Sequence, residues 1–230
     1  MTSRGVLSWA TGVRFHRGRL LFPGVGATPR GLLYLGFAVM TAMFFREVPP
    51  VAKTARVLKS KTVFHGRLID VKVEQVVEPG GVRTLREVVC HSGSVVVIPR
   101  LPDGRVILVR QYRHAVRESL WELVAGGMEK GETPRQSARR ELLEETGYRA
   151  RTAKPVLEFY PSPGILSERM HLVEAAGLTK SQAQPDEDER IEVGFFKPAD
   201  LVKLIRQNKL RDAKTLVGIL WLFGNPQKSV

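Results

Sequence analysis

The chain has 230 residues, 43% of them hydrophobic, enough for one globular domain with a sizeable core plus an appendage. Its single cysteine, Cys90, excludes an internal disulfide and fits a reducing compartment, so a cytoplasmic protein is expected. The formal charge of +13 is uneven: residues 1–46 hold six Arg and no acid and carry +6, leaving +7 for the remainder. A moderately basic body attracts an anionic substrate, but without basic stripes interleaved with aromatics it makes no case for nucleic acid.

Residues 1–46 also lack Lys, and they end in an apolar run over 31–45, about the length of a signal-peptide core and short of a spanning helix. Three readings stay open: a weak anchor or export signal, an Arg-rich organelle leader, or a natural start at Met40 or Met43. The break in composition points to the third, and no firm membrane partner is assigned.

From residue 59 the pattern is orderly. Residues 64–74 alternate apolar and polar as one half-buried strand does, and Glu78-Pro79-Gly80-Gly81 turns the chain into a second strand over 83–90. Cys90 sits at its end and is expected as a small core residue. Residues 94–99 are an apolar strand, Pro102-Asp103-Gly104 a tight turn, and 105–112 a second strand, so an antiparallel hairpin is expected. Residues 121–125 form a short strand leading to a Gly-rich loop. Farther on, strands are expected at 155–159 and 170–175, separated by Tyr160-Pro161-Ser162-Pro163-Gly164, and at 191–196. Amphipathic helices follow at 199–208, with Pro198 near the start, and at 212–223. Strands with a few segregated helices give an α+β fold with a mixed sheet.

Between these strands lies a well-marked helix. Thr133 is a good N-cap, Pro134 suits the first position, Gln136 can complete a capping box, and Gly147 tolerates the left-handed conformation that ends it. Glu141, Glu144 and Glu145 share one face at spacings of three and four, where like charges repel. Two readings compete. One is a solvated face with Arg139 and Arg140 as local partners. The other adds Glu132, just before the cap, and a loop containing Gly126, Gly127 and Gly131. There the carboxylates converge on a hard divalent cation, Mg²⁺ or Mn²⁺, which usually arrives with substrate phosphates.

Gly126, five residues, Glu132, seven residues, Arg140-Glu141-Leu142, one residue, Glu144-Glu145, one residue, Gly147 and the apolar Tyr148 fill every fixed position of the Nudix box, G-x5-E-x7-R-E-U-x-E-E-x-G-U with U bulky and apolar. The chain therefore resembles the Nudix family. The resemblance implies an α/β/α sandwich with a mixed sheet, preceded by a small N-terminal antiparallel sheet. It also implies a Mg²⁺-dependent pyrophosphohydrolase acting on a nucleoside diphosphate linked to another moiety. We expect three segments: 1–46 unassigned, 59–92 the N-terminal sheet used for dimerisation, and 93–224 the hydrolase domain.

From about residue 62 to 224 the chain looks like the ADP-ribose pyrophosphatase group. The matching stretches are Arg86-Glu87-Val88-Val89, Gln111-Tyr112-Arg113, residues 121–126, Ser162-Pro163-Gly164 with Ser167-Glu168-Arg169, Asp186-Glu187-Asp188-Glu189, and Asp212-Ala213-Lys214-Thr215. Pro163, some fifteen residues beyond the box, is that group's usual specificity mark. Val124 replaces a frequent Pro and Ile165-Leu166 a Gly-containing pair, departures that bear on the terminal ribose rather than on the chemistry. Signatures of NADH or coenzyme A pyrophosphatases, including a zinc-type cysteine cluster, are missing. The expected reaction converts ADP-ribose or a related ADP-sugar to AMP and a sugar phosphate. Another nucleoside diphosphate sugar such as GDP-mannose, or a non-catalytic ligand-sensing module, stand as alternatives.

By this resemblance Glu141 and Glu145 are metal ligands, with Glu144 close behind and the Ala125 carbonyl added. Arg140 orients carboxylates, and Glu132 binds metal through water or serves structurally. A general base has to reach the attacking water. The resemblance puts it at Glu187 or Glu189, against which stands a plain solvated turn. Glu168 is a metal-side carboxylate or a salt-bridge partner of Arg169. Arg86 and Arg113 are candidates for phosphate or adenine contacts, unless each pairs with an acid such as Glu87 or Glu122. Glu122, Pro163 and Gly164 join the substrate-binding set. Phe64, Tyr112 and Trp121 stack on a base or pack in the core, the core being the expectation for the last two. The family also implies a homodimer in which the N-terminal sheet of one subunit helps bind the adenosine held by the other.

Overall fold

The computed structural model describes residues 14–16, 19–21, 54–181 and 191–225. The chain divides into two units, Met1–Lys53 and Thr54–Val230. In the first, strands β1 (Arg14–His16) and β2 (Arg19–Leu21) pair antiparallel, and the apolar run at 31–45 lies outside the described residues.

The second unit opens with an antiparallel sheet of β3 (Arg56–His65), β4 (Asp70–Val77) and β5 (Arg83–Cys90), in that order. The alternating run 64–74, expected as one strand, is two. The Gly66 N–H donates to the Ile69 carbonyl at 2.9 Å, closing a turn that sets His65 opposite Asp70. The alternation runs on through the turn and hides it. Gly66 permits the turn, because a Cβ there would meet the Phe64 ring at 2.6 Å and the Ile69 carbonyl oxygen at 3.0 Å. Cys90 is half-buried and outside the core.

Two further sheets make the body. Strands β6 (Ser94–Pro99), β9 (Val124–Gly127), β10 (Tyr148–Phe159) and β11 (Met170–Lys180) form a mixed sheet ordered β10-β11-β6-β9, with β11 and β6 parallel. Strands β7 (Val106–Arg113), β8 (Glu118–Glu122) and β12 (Glu192–Phe196) form an antiparallel sheet ordered β12-β7-β8. The expected β6–β7 hairpin is not made. Its turn closes, with Gly104 N–H donating to Leu101 O at 2.9 Å, but only the bridge Arg100–Val106 joins the two sides. All six residues of β6 are buried, and a strand covered on both faces must satisfy its backbone on both edges, here through β9 and β11. The strand expected over 121–125 is likewise split: Leu123 passes between the sheets and donates its N–H to the Thr215 hydroxyl at 2.8 Å.

Three helices complete the unit: α1 (Pro134–Thr146), α2 (Pro198–Arg206) and α3 (Ala213–Gly224). Val95 and Val97 of β6 pack in one core with Ala138 and Leu142 of α1. Val96 and Ile98, on the other face, pack with Leu201 of α2 and Ile219 and Leu222 of α3. The period of two thus builds an α+β, three-layer α/β/α sandwich, as expected. Among the described residues no helix is long and apolar enough to cross a membrane.

Candidate active site

The centre of the site is α1, set by its caps. The Thr133 hydroxyl accepts from Gln136 N–H at 3.3 Å while the Gln136 side chain accepts from Thr133 N–H at 2.9 Å, so the capping box closes. Gly147, at φ 71°, ends the helix by donating to the Leu143 carbonyl at 2.9 Å. The face turned to the body carries Ser137, Ala138, Glu141, Leu142 and Glu145. Glu141 and Glu145 are only 9% and 7% exposed, so the solvated-face reading holds for neither. Two buried carboxylates one turn apart are costly without compensating cations and hydrogen bonds.

Arg140 supplies much of that compensation. Its Nη1 donates to Glu141 at 2.6 Å and to Glu144 at 3.0 Å. Its Nε and Nη2 grip both oxygens of Glu132 at 3.0 Å, and Nη2 also donates to the Gly127 carbonyl at 2.9 Å. Hydrogen bonding from Arg140, aided by the Glu129 N–H, holds the Glu132 carboxyl at a pKa of about 2, and the same contacts raise that of Arg140. In this arrangement Glu132 clamps Arg140.

The donor chemistry beside this clamp suits a hard cation. Glu141 and Glu145 offer buried carboxylate oxygens, and Gly126, next to Ala125 in β9, lies so close that a Cβ would meet the Glu141 carboxyl at 2.1–2.3 Å. Among the described residues no three His, Cys, Asp or Glu side chains gather as a metal cluster. The remaining donors would come from the Ala125 carbonyl, a shifted Glu144, substrate phosphate or water, as is usual for Mg²⁺.

A second buried network lies at the end of β7 and β8. Arg113 Nε and Nη2 donate to the two oxygens of Glu122 at 2.9 and 2.8 Å, and Lys214 also donates to Glu122. Lys214 bonds Asp212 at 2.9 Å, and Asp212 caps α3 through the Thr215 N–H at 2.9 Å. Burial pushes the pKa of Glu122 up, but Arg113 and Lys214 outweigh it and hold the group below its ordinary value. Arg113 is raised, by Glu122 foremost, with Glu145 and Asp212 adding to it. The alternative of an Arg113–Glu122 pair is thus what forms. Lys214, not among the expected site residues, completes it; in the sequence it stood only within the matching stretch Asp212-Ala213-Lys214-Thr215.

Arg86 pairs with Glu78, at 2.9 Å from Nε and 2.5 Å from Nη2, rather than with Glu87, and no bond among the described residues links it to the box. Glu168 accepts from Ser94 Oγ at 2.5 Å. His91 Nδ1 lies 3.5 Å from Glu168 but accepts the Gly93 N–H at 3.0 Å, so it is not a donor to that carboxylate. Arg169, the other partner considered for Glu168, bonds Tyr160 at 3.1 Å and Glu158 at 3.3 Å instead. Pro163 and Gly164 sit in an exposed loop that is tied to β5, with Val89 N–H donating to Ile165 O at 2.8 Å and Ser167 N–H to Val89 O at 2.9 Å. Trp121 packs edge-on against Phe196 at 5.0 Å, as expected of a core residue. Tyr112 does not: it is 56% exposed, and Phe64 is 54% exposed. Glu187 and Glu189 lie outside the described residues.

The NUDIX domain family matches residues 91–217. The chain is 37% identical over 169 residues to an ADP-ribose pyrophosphatase of Bacillus subtilis (strain 168), covering 73% of this chain and 91% of that protein. It is 36% identical over 169 residues, with the same coverage, to a methanol dehydrogenase activator of Bacillus methanolicus. Among solved structures, the crystal structure of an ADP compounds hydrolase superposes with a TM-score of 0.68 at 24% identity, over 77% of this chain and 98% of that one, a likeness of fold.

Proposed function

Because the chain belongs to the NUDIX family, we propose that it is a Mg²⁺-dependent pyrophosphohydrolase that cleaves ADP-ribose, or a related ADP-sugar, between its phosphates. The products are AMP and a sugar phosphate, ribose 5-phosphate in the case of ADP-ribose. The observation that carries this reading is the pair Glu141 and Glu145, buried one turn apart, with Glu141 set against the Gly126 backbone. Identity with an ADP-ribose pyrophosphatase supports the substrate class, and nearly equal identity with an activator protein makes substrate choice the point to test.

Glu141, Glu145 and the Ala125 carbonyl, with Glu144 close behind, would hold Mg²⁺ or Mn²⁺, which when bound neutralises pyrophosphate charge and activates the attacking water. Arg140 fixes Glu141 and Glu144, while Glu132 fixes Arg140. Arg113, held by Glu122, which Lys214 holds from its other side, has N–H groups left to donate to a phosphate oxygen. Glu187 or Glu189 takes the proton of the water. Arg86, Glu168 and the loop with Pro163 and Gly164 complete the substrate side, the loop and β5 being joined by the hydrogen bonds at Val89.

A homodimer is part of the proposal. All ten residues of β3 are exposed, it forms an edge of its sheet, and Val57, Val63 and Phe64 of β3, with Leu85 of β5, present apolar surface on this sheet that a second copy would cover.

The test is chromatography of products after incubating the full chain with Mg²⁺ and ADP-ribose, other ADP- and GDP-sugars, NADH or nucleoside triphosphates. AMP with ribose 5-phosphate should form fastest from ADP-ribose. Faster cleavage of GDP-mannose would replace the sugar and base, and binding without turnover would make the chain a sensing module.

A further inference from the structure

We propose that the cleft between α1 and the start of β10 is a second, metal-independent site for a small multivalent phosphate-bearing anion. This concavity of about 600 Å³ is walled by Arg139, Arg140 and Leu143 of α1 and by Arg149, Ala150 and Arg151 of β10. Four of its six lining residues are Arg and none is an acid. Its size lies within the ordinary range for small-ligand sites.

The local structure explains how the cations meet. Gly147 reverses the chain directly from α1 into β10, whose period of two puts Arg149 and Arg151 on one side of the strand. Arg139 and Leu143 lie one turn apart on the helix opposite. The charge of Arg140 is already shared among Glu132, Glu141 and Glu144. The other three are differently placed. Arg139 donates from Nη2 to the Arg151 carbonyl at 3.0 Å, and Arg149 from Nε to the Ser181 hydroxyl at 3.3 Å, both neutral acceptors. Among the described residues Arg139, Arg149 and Arg151 make no ion pair.

Scattered surface arginines need no ligand. Here three arginines with no ion pair among the described residues line one concavity with a fourth, and like charges gathered there favour an occupant of opposite charge. Guanidinium forks match phosphate oxygens in pairs, so several together select an oligophosphate over a monovalent anion. Leu143 adds a small apolar floor. An inorganic oligophosphate and the phosphate tail of a nucleotide share this chemistry.

Calorimetric titration of the full chain with sodium tripolyphosphate, and separately with ATP, in a metal chelator tests the site apart from the reaction proposed above. One anion should bind per chain, weakening as salt rises. Tighter binding of ATP would assign the floor to a base, and equal or tighter binding of tripolyphosphate would assign an inorganic ligand. Affinity should fall about tenfold or more in Arg139→Ala/Arg149→Ala/Arg151→Ala, and clearly in the milder Arg149→Gln/Arg151→Gln, with ADP-ribose turnover and melting temperature unchanged. The absence of saturable binding, or binding undiminished in either variant, would overturn the proposal.

Discussion

Replacing Arg140 by Ala removes a cation that hydrogen-bonds three carboxylates. Glu132 and Glu144 have side chains 17% and 33% exposed, so water takes over part of what they lose. Glu141, 9% exposed, cannot recover in that way, and its loss dominates. Depriving a buried charge of its partner costs roughly 3–5 kcal/mol, and incomplete burial puts the expectation at the low end, about 3 kcal/mol. For a unit of this size that is a fall of about 6–12 °C in melting temperature, read by circular dichroism at neutral pH. Arg140→Lys keeps the charge but not the fork and should lose roughly half as much. Adding Glu141→Gln to Arg140→Ala should recover part of the loss, because a neutral amide needs no cation. A melting temperature for Arg140→Ala within about 2 °C of the parent would refute the clamp.

The same clamp gives a pH dependence. The pKa of Glu132 is depressed from 4.5 to about 2, so its contribution is complete above pH 4.5 and is lost as pH falls towards 2. In Glu132→Gln that segment of the acid-unfolding curve should flatten, and an unchanged curve would count against the assignment. Glu145→Gln should lower turnover by about a hundredfold or more while the fold persists, and activity within a few-fold of the parent would remove Glu145 from the proposed ligands. Gly126→Ala puts a Cβ 2.1–2.3 Å from the Glu141 carboxyl, so turnover should drop far more than melting temperature, and full activity would show that the carboxylate shifts at no cost. Phe64→Glu with Leu85→Glu should halve the mass seen by light scattering, whereas a parent already monomeric would dismiss the proposed dimer.

The site was legible in the sequence where bonds close within a few residues. Thr133, Gln136 and Gly147 write the two ends of α1 locally, and spacings of three and four put Glu141, Glu144 and Glu145 on neighbouring positions whatever surrounds the helix. The layers were legible too, because an unbroken apolar run in β6 needs cover on both faces. What the spacing left open was which carboxylates are buried, and packing against β9 decided that for Glu141.

Sequence alone did not show that residues 64–74 turn back on themselves, since a period of two is the same in one long strand and in two joined by a tight turn. Nor did it choose the edges of β6: hydrophobicity demands burial, but the pairing with β9 and β11 follows from how whole sheets stack. The choice of Glu122 for Arg113 and the arrival of Lys214 from 92 residues away are likewise tertiary. A charge has no local signature of its partner, and only the folded body brings the two together out of water.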